Sequence, residues 1–215
     1  MTVPGSARAV FGERLPLAEA YVQWLTGPGI EQGLLGPREA DRVWTRHVLN
    51  CAALAAVVPE HARVADVGSG AGLPGIPLLL ARPDLTMTLI EPLQRRITFL
   101  EDVRDALGLG VQIRRARAEE ITDRFDVVVS RAVAPLDRLA GWCAPLLAPG
   151  GLLLAIKGSS APDEVAEHAA ALHRLALREP TVVELDDSCG GVTTVVRAAK
   201  LAPGRSPASR NEVAL

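Results

Sequence analysis

Four glycines and one carboxylate stand where an apolar run passes into a helix start: Val64-Ala65-Asp66-Val67-Gly68-Ser69-Gly70-Ala71-Gly72-Leu73-Pro74-Gly75. Glycine accepts positive φ and carries no Cβ, so a turn of this kind lets a nucleotide-like ligand lie against backbone N–H groups. Gly70 to Gly75 satisfies the G-x-G-x-x-G pattern, whose amides and helix N-terminus take a dinucleotide's pyrophosphate. Asp66 argues the other way. A carboxylate two residues before the first glycine repels a pyrophosphate and attracts the cationic methionine end of S-adenosylmethionine. The run Leu85 to Glu91 alternates as a strand and closes on an acid about twenty positions beyond the glycines, placed for ribose hydroxyls. Both cofactors carry such a ribose, so Glu91 supports an adenosine-containing ligand without choosing between them.

The elements that must hold these residues follow from periodicity. Apolar positions from Arg8 to Leu25 recur at helical spacing and are interrupted by Pro16, which predicts a kinked or two-piece helix. Gly27-Pro28-Gly29 breaks the chain, and Pro37 opens a second helix to about Val58 with Val43, His47, Cys51 and Leu54 on one stripe. Strands are predicted near 63–67, 86–91, 111–114, 125–130 and 151–157. Helices are predicted near 75–81, 95–107, 136–147 and 163–176. This alternation specifies a mostly parallel sheet with its ligands at the polar strand ends. Residues 181–185 and 192–197 flank Asp187-Ser188-Cys189-Gly190-Gly191 as a C-terminal antiparallel hairpin, which fits a methyltransferase better than a dehydrogenase. The expected organisation is a helical cap over 1–60, a Rossmann-like domain over 61–200 and a disordered tail over 201–215.

A chain of 215 residues with 48% hydrophobic content has enough apolar material for one sizeable core. No apolar run approaches the roughly 20 residues of a membrane span, so the expected location is cytoplasmic, with no membrane partner. Cys51, Cys143 and Cys189 are far apart and make no metal spacing; they read as structural thiols, and no metal is expected. The net charge of −2 offers a polyanion no general attraction, so contact with nucleic acid must come from a local basic face. Of 23 basic residues only Lys157 and Lys200 are lysines.

Five stretches together resemble the bacterial small-subunit ribosomal RNA guanine-N7 methyltransferases, the glucose-inhibited division protein B family. They are Asp66 to Pro77; Glu91 with Arg95-Arg96 and Phe99-Leu100; Arg117-Ala118-Glu119-Glu120; Ser130-Arg131-Ala132; and Ala155-Ile156-Lys157-Gly158. The resemblance spans about 35–158 and implies a class I S-adenosylmethionine-dependent methyltransferase fold. It further implies a monomer that methylates N7 of a guanine in 16S rRNA, in the 530 loop near the decoding site, as free rRNA or within the small ribosomal subunit. It makes the backbone around Gly68 and Leu73, the Ala118-Glu119 pair and Arg131 cofactor contacts, beside Asp66, Gly70, Gly72 and Glu91. The family usually has a more basic face than this chain, whose two lysines leave that role to arginine.

Guanine N7 carries a lone pair and no proton, so methylation needs no general base, and the chain has no Asn-Pro-Pro-Tyr segment of the kind used on amino groups. The task is alignment, with Asp66 offsetting charge on the donor side. Arg131 and Lys157, at strand ends on one face, are placed to orient phosphates or the guanine O6 edge. An RNA face is expected from Arg38, Arg42 and Arg46 on one helix side, with Arg95, Arg96, Arg114, Arg115 and Arg117 near the crevice. Plainer readings stand beside these. Asp66 caps the turn, Glu91 is a strand end, Glu119 neighbours an N-cap, and Arg131 pairs with Asp66 or Glu91. His47 is either a satisfied core histidine or an RNA contact. The alternatives to a methyltransferase are a nicotinamide-dependent oxidoreductase, disfavoured because Tyr21 is the one tyrosine and no Tyr-x-x-x-Lys exists, and a non-catalytic RNA-binding protein.

Overall fold

The computed structural model describes residues 2–131 and 134–202; the tail beyond 202 and Ala132 of the Ser130-Arg131-Ala132 motif lie outside them. Seven strands form one sheet in the order β3-β2-β1-β4-β5-β7-β6. They are β1 (Arg63–Val67), β2 (Thr86–Ile90), β3 (Val111–Arg114), β4 (Phe125–Arg131), β5 (Leu147–Ile156), β6 (Leu177–Asp186) and β7 (Val192–Lys200). β1 to β5 run parallel, and β7 lies antiparallel between β5 and β6. This is the expected class I methyltransferase arrangement, with its C-terminal antiparallel hairpin. The chain reverses its direction of winding at β1 and β4, and the crevice outside their carboxyl ends is where such sheets bind ligands.

Strand alternation sends side chains to two cores. Val64, Met87, Leu89, Val127, Val129, Leu154 and Ile156 face a cluster shared with α1 (Gly5–Phe11), α2 (Leu15–Thr26), α5 (Gly75–Ala81) and α6 (Gln94–Leu107). Ala65, Val67, Val128, Leu153 and Ala155 face the other, shared with α7 (Leu136–Cys143) and α8 (Ala161–Arg174). The central strands are therefore buried on both faces, which is why they read as apolar runs. β2 alternates with threonine for a different reason. The β3 to β4 connection makes only one 3-10 turn, Ala118–Glu120, and over that part of the sheet Thr86, Thr88, Gln112 and Arg114 line a polar cavity.

The N-terminal region differs from the sequence reading in its winding. The first helix is in two pieces, but the break falls at Gly12 (φ +52°), while Pro16 sits harmlessly in the first turn of α2. A short turn, α3 (Pro28–Glu31), follows. In place of one regular helix over 37–58 there is a composite: a 3-10 stretch Pro37–Arg42, a π stretch Val43–Leu49, α4 (Asn50–Ala52) and a 3-10 stretch Ala53–Ala56. A regular helix would line up Arg38, Arg42 and Arg46. Here Arg42 and Arg46 both turn onto Glu39, at 3.4 Å each. Arg82 fastens the end of this composite to the sheet layer: NH1 donates to Ala55 O and Val58 O, and the guanidinium holds Asp84 at 2.8 Å. β6 begins earlier than predicted because Glu179 (φ +49°) and Pro180 are absorbed as an irregularity in its pairing with β7. Among the described residues no helix is long and apolar enough to cross a membrane.

One polar contact ties α2 to the glycine turn: the fully buried Tyr21 hydroxyl donates to Ala71 O at 2.8 Å. Replacing Tyr21 with Phe leaves that carbonyl unpaired and is expected to cost about 1–3 kcal/mol of unfolding free energy, read by urea denaturation.

Candidate functional site

The turn after β1 adopts positive φ at Gly68, Gly70 and Gly72, as the glycine spacing requires. Most of its amides, however, are spent within the protein. Gly68 and Ser69 N–H donate to Ile90 O, Gly72 and Leu73 N–H to Ser69 O, and Gly70 N–H to Glu91 Oε2 at 3.1 Å. This corrects the expectation that the turn presents its run of N–H groups to a ligand, and it takes away most of the donors a pyrophosphate needs. The turn offers shape instead. At Gly70 (φ +58°) a side chain would be strained, and a Cβ would meet only Gly68 O, at 3.9 Å, leaving the backbone open to close approach.

Asp66 lies under the turn rather than in the crevice, and is fully buried. Its Oδ2 accepts from Gly75 N at 2.9 Å, closing the first turn of α5, and a Cβ on Gly75 would press to 2.8 Å from that oxygen. Oδ1 is buried without a partner. Burial pushes the carboxyl up to about 7, against the Gly75 bond, which favours the anion. The expected direct pairing of Asp66 with a cationic ligand is thus replaced by support of the turn from below.

Glu91, 1% exposed, is the clamp between β2 and that turn: Oε2 accepts from Gly70 N and Arg96 NH1, Oε1 from Leu93 N at 3.0 Å. Oε1 keeps one lone pair free, and the carboxylate lines a cleft of about 520 Å³ with Gly68, Gly70, Leu73, His47 and Arg131. Beside it, sharing Gly68 and Pro92, is a narrower, mostly apolar slot of about 140 Å³ between Val67, Ile90, Ala118 and Trp142, rimmed by Arg117 and Glu119. A planar base fits such a slot, with a ribose over Glu91 and the turn. Ala118 and Glu119, expected as cofactor contacts, both border this slot. Trp142 was missed, since a lone tryptophan on an amphipathic helix carries no signal of facing a ligand.

Arg131 forms the opposite wall. It pairs with neither Asp66 nor Glu91: NH2 lies 2.7 Å from His47 Nδ1, and NH1 donates to Cys51 Sγ at 3.2 Å. It also borders a second basin of about 460 Å³ with Arg46, Asn50, Ile156, Gly158, Ser159 and Thr194. The cleft and the basin therefore meet at one guanidinium.

Two expected RNA contacts are corrected. His47 is 7% exposed and uses both ring nitrogens inside the protein, so it does not present a face to RNA. Lys157 has a side chain only 8% exposed; Nζ donates to Glu164 Oε2 at 2.7 Å and Ala134 O at 2.8 Å. Glu164, in the first turn of α8, draws the ammonium inward as a strut between β5, α7 and α8. Of the arginines expected on that face, Arg38, Arg95, Arg115 and Arg117 point outward without an acidic partner among the described residues, while Arg42 and Arg46 pair with Glu39 at 3.4 Å, Arg114 with Asp123 at 3.0 Å and Arg96 with Glu91.

The family described as rRNA small subunit methyltransferase G matches residues 14–190. The chain is similar to proteins named ribosomal RNA small subunit methyltransferase G. It is 52% identical to the one from Salinispora tropica, over 96% of this chain and 91% of the relative, and 50% identical to the one from Mycolicibacterium gilvum, over 96% and 94%. Among solved structures it resembles M. jannaschii TYW2 in complex with AdoMet (TM-score 0.56, 17% identity, 71% of this chain and 74% of that one). It also resembles a SAM-dependent O-methyltransferase from Thermotoga maritima (TM-score 0.55, 16% identity, 74% and 66%).

The raised carboxyl of Asp66 sets a pH test of stability. Its folded-state value lies above the ordinary carboxylate value of 3.8, so the stability it contributes is full below about pH 4 and is lost as pH rises toward 7. The Asp66→Asn protein is expected to lack this component, at most about 4 kcal/mol, in urea titrations from pH 4 to 8.

Proposed function

Because the chain belongs to the rRNA small subunit methyltransferase G family, we propose that it transfers a methyl group from S-adenosylmethionine to N7 of a guanine in 16S rRNA, in the 530 loop near the decoding site. It is an S-adenosylmethionine-dependent rRNA methyltransferase, and its macromolecular substrate is 16S rRNA or the small ribosomal subunit. The observation that carries the finer reading is the junction at Arg131, where a nucleoside-shaped cleft and an open polar basin share one wall.

The residues present fit the cofactor. The slot against Trp142 and Ala118 takes the adenine ring, the free lone pair of Glu91 Oε1 takes a ribose hydroxyl, and the turn at Gly68, Gly70, Gly72 and Leu73 takes the methionine portion at close range. Bound there, S-adenosylmethionine supplies a methyl group made electrophilic by its positive sulfur. The committed amides of the turn disfavour a nicotinamide dinucleotide, whose pyrophosphate would find few donors there.

Guanine enters from the basin. N7 attacks with an in-plane lone pair and gives up no proton, so neither a general base nor a metal is required, and one subunit contains every group named. Arg131 donates in the plane of the ring to O6, the acceptor next to N7, and so fixes the angle at which the lone pair meets the methyl carbon. Asn50, Ser159 and Thr194 supply the polar rim, and Arg46, Arg95 and Arg117 take phosphates of the flanking RNA. The reaction is placed in the cytoplasm, with the ribosomal subunits.

The deciding experiment is tritium transfer from labelled S-adenosylmethionine to small subunits lacking the modification, followed by strand cleavage specific for N7-methylguanine. One labelled 16S guanine is expected; label at another atom or none at all overturns the reading. Trp142→Ala should weaken S-adenosylmethionine binding about tenfold by calorimetry, the loss of one stacked base. Arg95→Ala should reduce the salt dependence of RNA binding by about one unit of log–log slope, measured by filter binding from 50 to 300 mM salt on the order expected for one phosphate contact.

A further inference from the structure

We infer that His47 is a positioning residue for Arg131, holding its guanidinium at the junction of cleft and basin through a Glu39–His47–Arg131 chain. The inference rests on the reading above, in which Arg131 faces the base, and goes beyond it by naming what aims Arg131.

The tautomer follows from donor and acceptor chemistry. A guanidinium has only donors, so His47 Nδ1, 2.7 Å from Arg131 NH2, must be the bare nitrogen. The ring proton of neutral His47 is then on Nε2, where it is donated to Glu39 Oε2 at 2.9 Å. Arg131 NH1 is held separately by Cys51 Sγ, so two of the three guanidinium nitrogens are fixed from the composite helix. The remaining donors are left for the cavities that Arg131 borders. His47 in the π stretch and Cys51 in α4 are four residues apart and so share one helix face, and both reach one side chain on β4.

Protonation dismantles the arrangement. A proton on Nδ1 would set an N–H against the N–H of Arg131 and place two positive groups in contact. Burial, then Arg131, hold the His47 pKa below the ordinary value, with the bond to Glu39 acting against them. The charged and titratable groups around the ring are Glu39, Arg42 and Arg46 from its own composite helix and Cys51 from α4. Arg131 faces it from β4, Tyr21 and Asp66 lie behind that guanidinium, and Glu91 and Arg96 stand across the cleft. His47 is therefore neutral at pH 7, and turnover is expected to fall as pH drops below its lowered value.

The test uses the full-length protein with small subunits lacking the modification. His47→Leu is expected to lower kcat about 10²-fold, the effect of a misaligned reacting pair, with KM for the subunit little changed. His47→Asn, whose amide oxygen can take the place of Nδ1 as acceptor, should restore most of kcat. In an Arg131→Ala background His47→Leu should cost nothing further. Losses that simply add, or an unimpaired His47→Leu protein, overturn the inference, whereas a wild-type protein without activity overturns the proposed function instead. Should His47→Leu not fold, Glu39→Gln at the helix surface decides. Removing the carboxylate that favours the protonated ring must move the acid limb of kcat to lower pH, and an unmoved limb refutes the role. The shift is read rather than the limb itself, because Asp66 titrates in the same range.

Discussion

Two buried carboxyl groups, Asp66 beneath the glycine turn and Glu91 at the wall of the cleft, are what the ligand end of this sheet is built around. A buried acid is costly unless its oxygens are matched by donors. Here the donors are the backbone of the turn and the helix start themselves: Gly75 N on Asp66, Gly70 N and Leu93 N on Glu91. Glu91 is matched on both oxygens and Asp66 on Oδ2 alone, its Oδ1 staying buried without a partner, and these bonds shape the cleft. The turn cannot collapse inward onto Gly75, because Asp66 occupies that space, and cannot drift outward without releasing Glu91.

The same logic bears on which adenosine cofactor the proposed site would accept. A phosphate cradle needs amides pointing outward and no acid behind them. This turn has most of its amides pointing inward, with acids beneath and beside it. What it leaves open is a narrow apolar slot, a ribose-height acceptor and a smooth glycine wall, a surface suited to a nucleoside carrying a cation rather than a polyphosphate.

On the far side of the crevice, the N-terminal helices share a core with the face of the sheet that carries α5 and α6, and that packing gives them a role at the site. Tyr21 reaches the glycine turn; His47 and Cys51 reach Arg131. Arg82 binds the end of the composite helix to the strand layer, so the helices cannot shift without altering the wall they support. His47 and Cys51, four residues apart, share one face of the composite helix, and that shared face is what lets both reach one guanidinium.

Strand runs, the helices between them, the glycine turn and the acid closing β2 were legible in the amino-acid sequence, because each depends on local periodicity or on the conformational range of glycine. That Asp66, Glu91, Ala118, Glu119 and Arg131 gather at one end of the sheet was legible too, since parallel topology brings successive strand ends together. The direction in which each side chain spends its hydrogen bonds was not. Lys157 reads as a free strand-end cation until Glu164, seven residues on, proves to lie against it, and His47 reads as an RNA contact until β4 brings Arg131 to its bare nitrogen. Trp142 gained its place beside Ala118 only when α7 packed against β5 and the 3-10 turn Ala118–Glu120. Sequence by itself determined which groups stand near the crevice; tertiary structure alone decided which of them face it, because a polar group turns toward its nearest partner and that partner is usually distant in the chain.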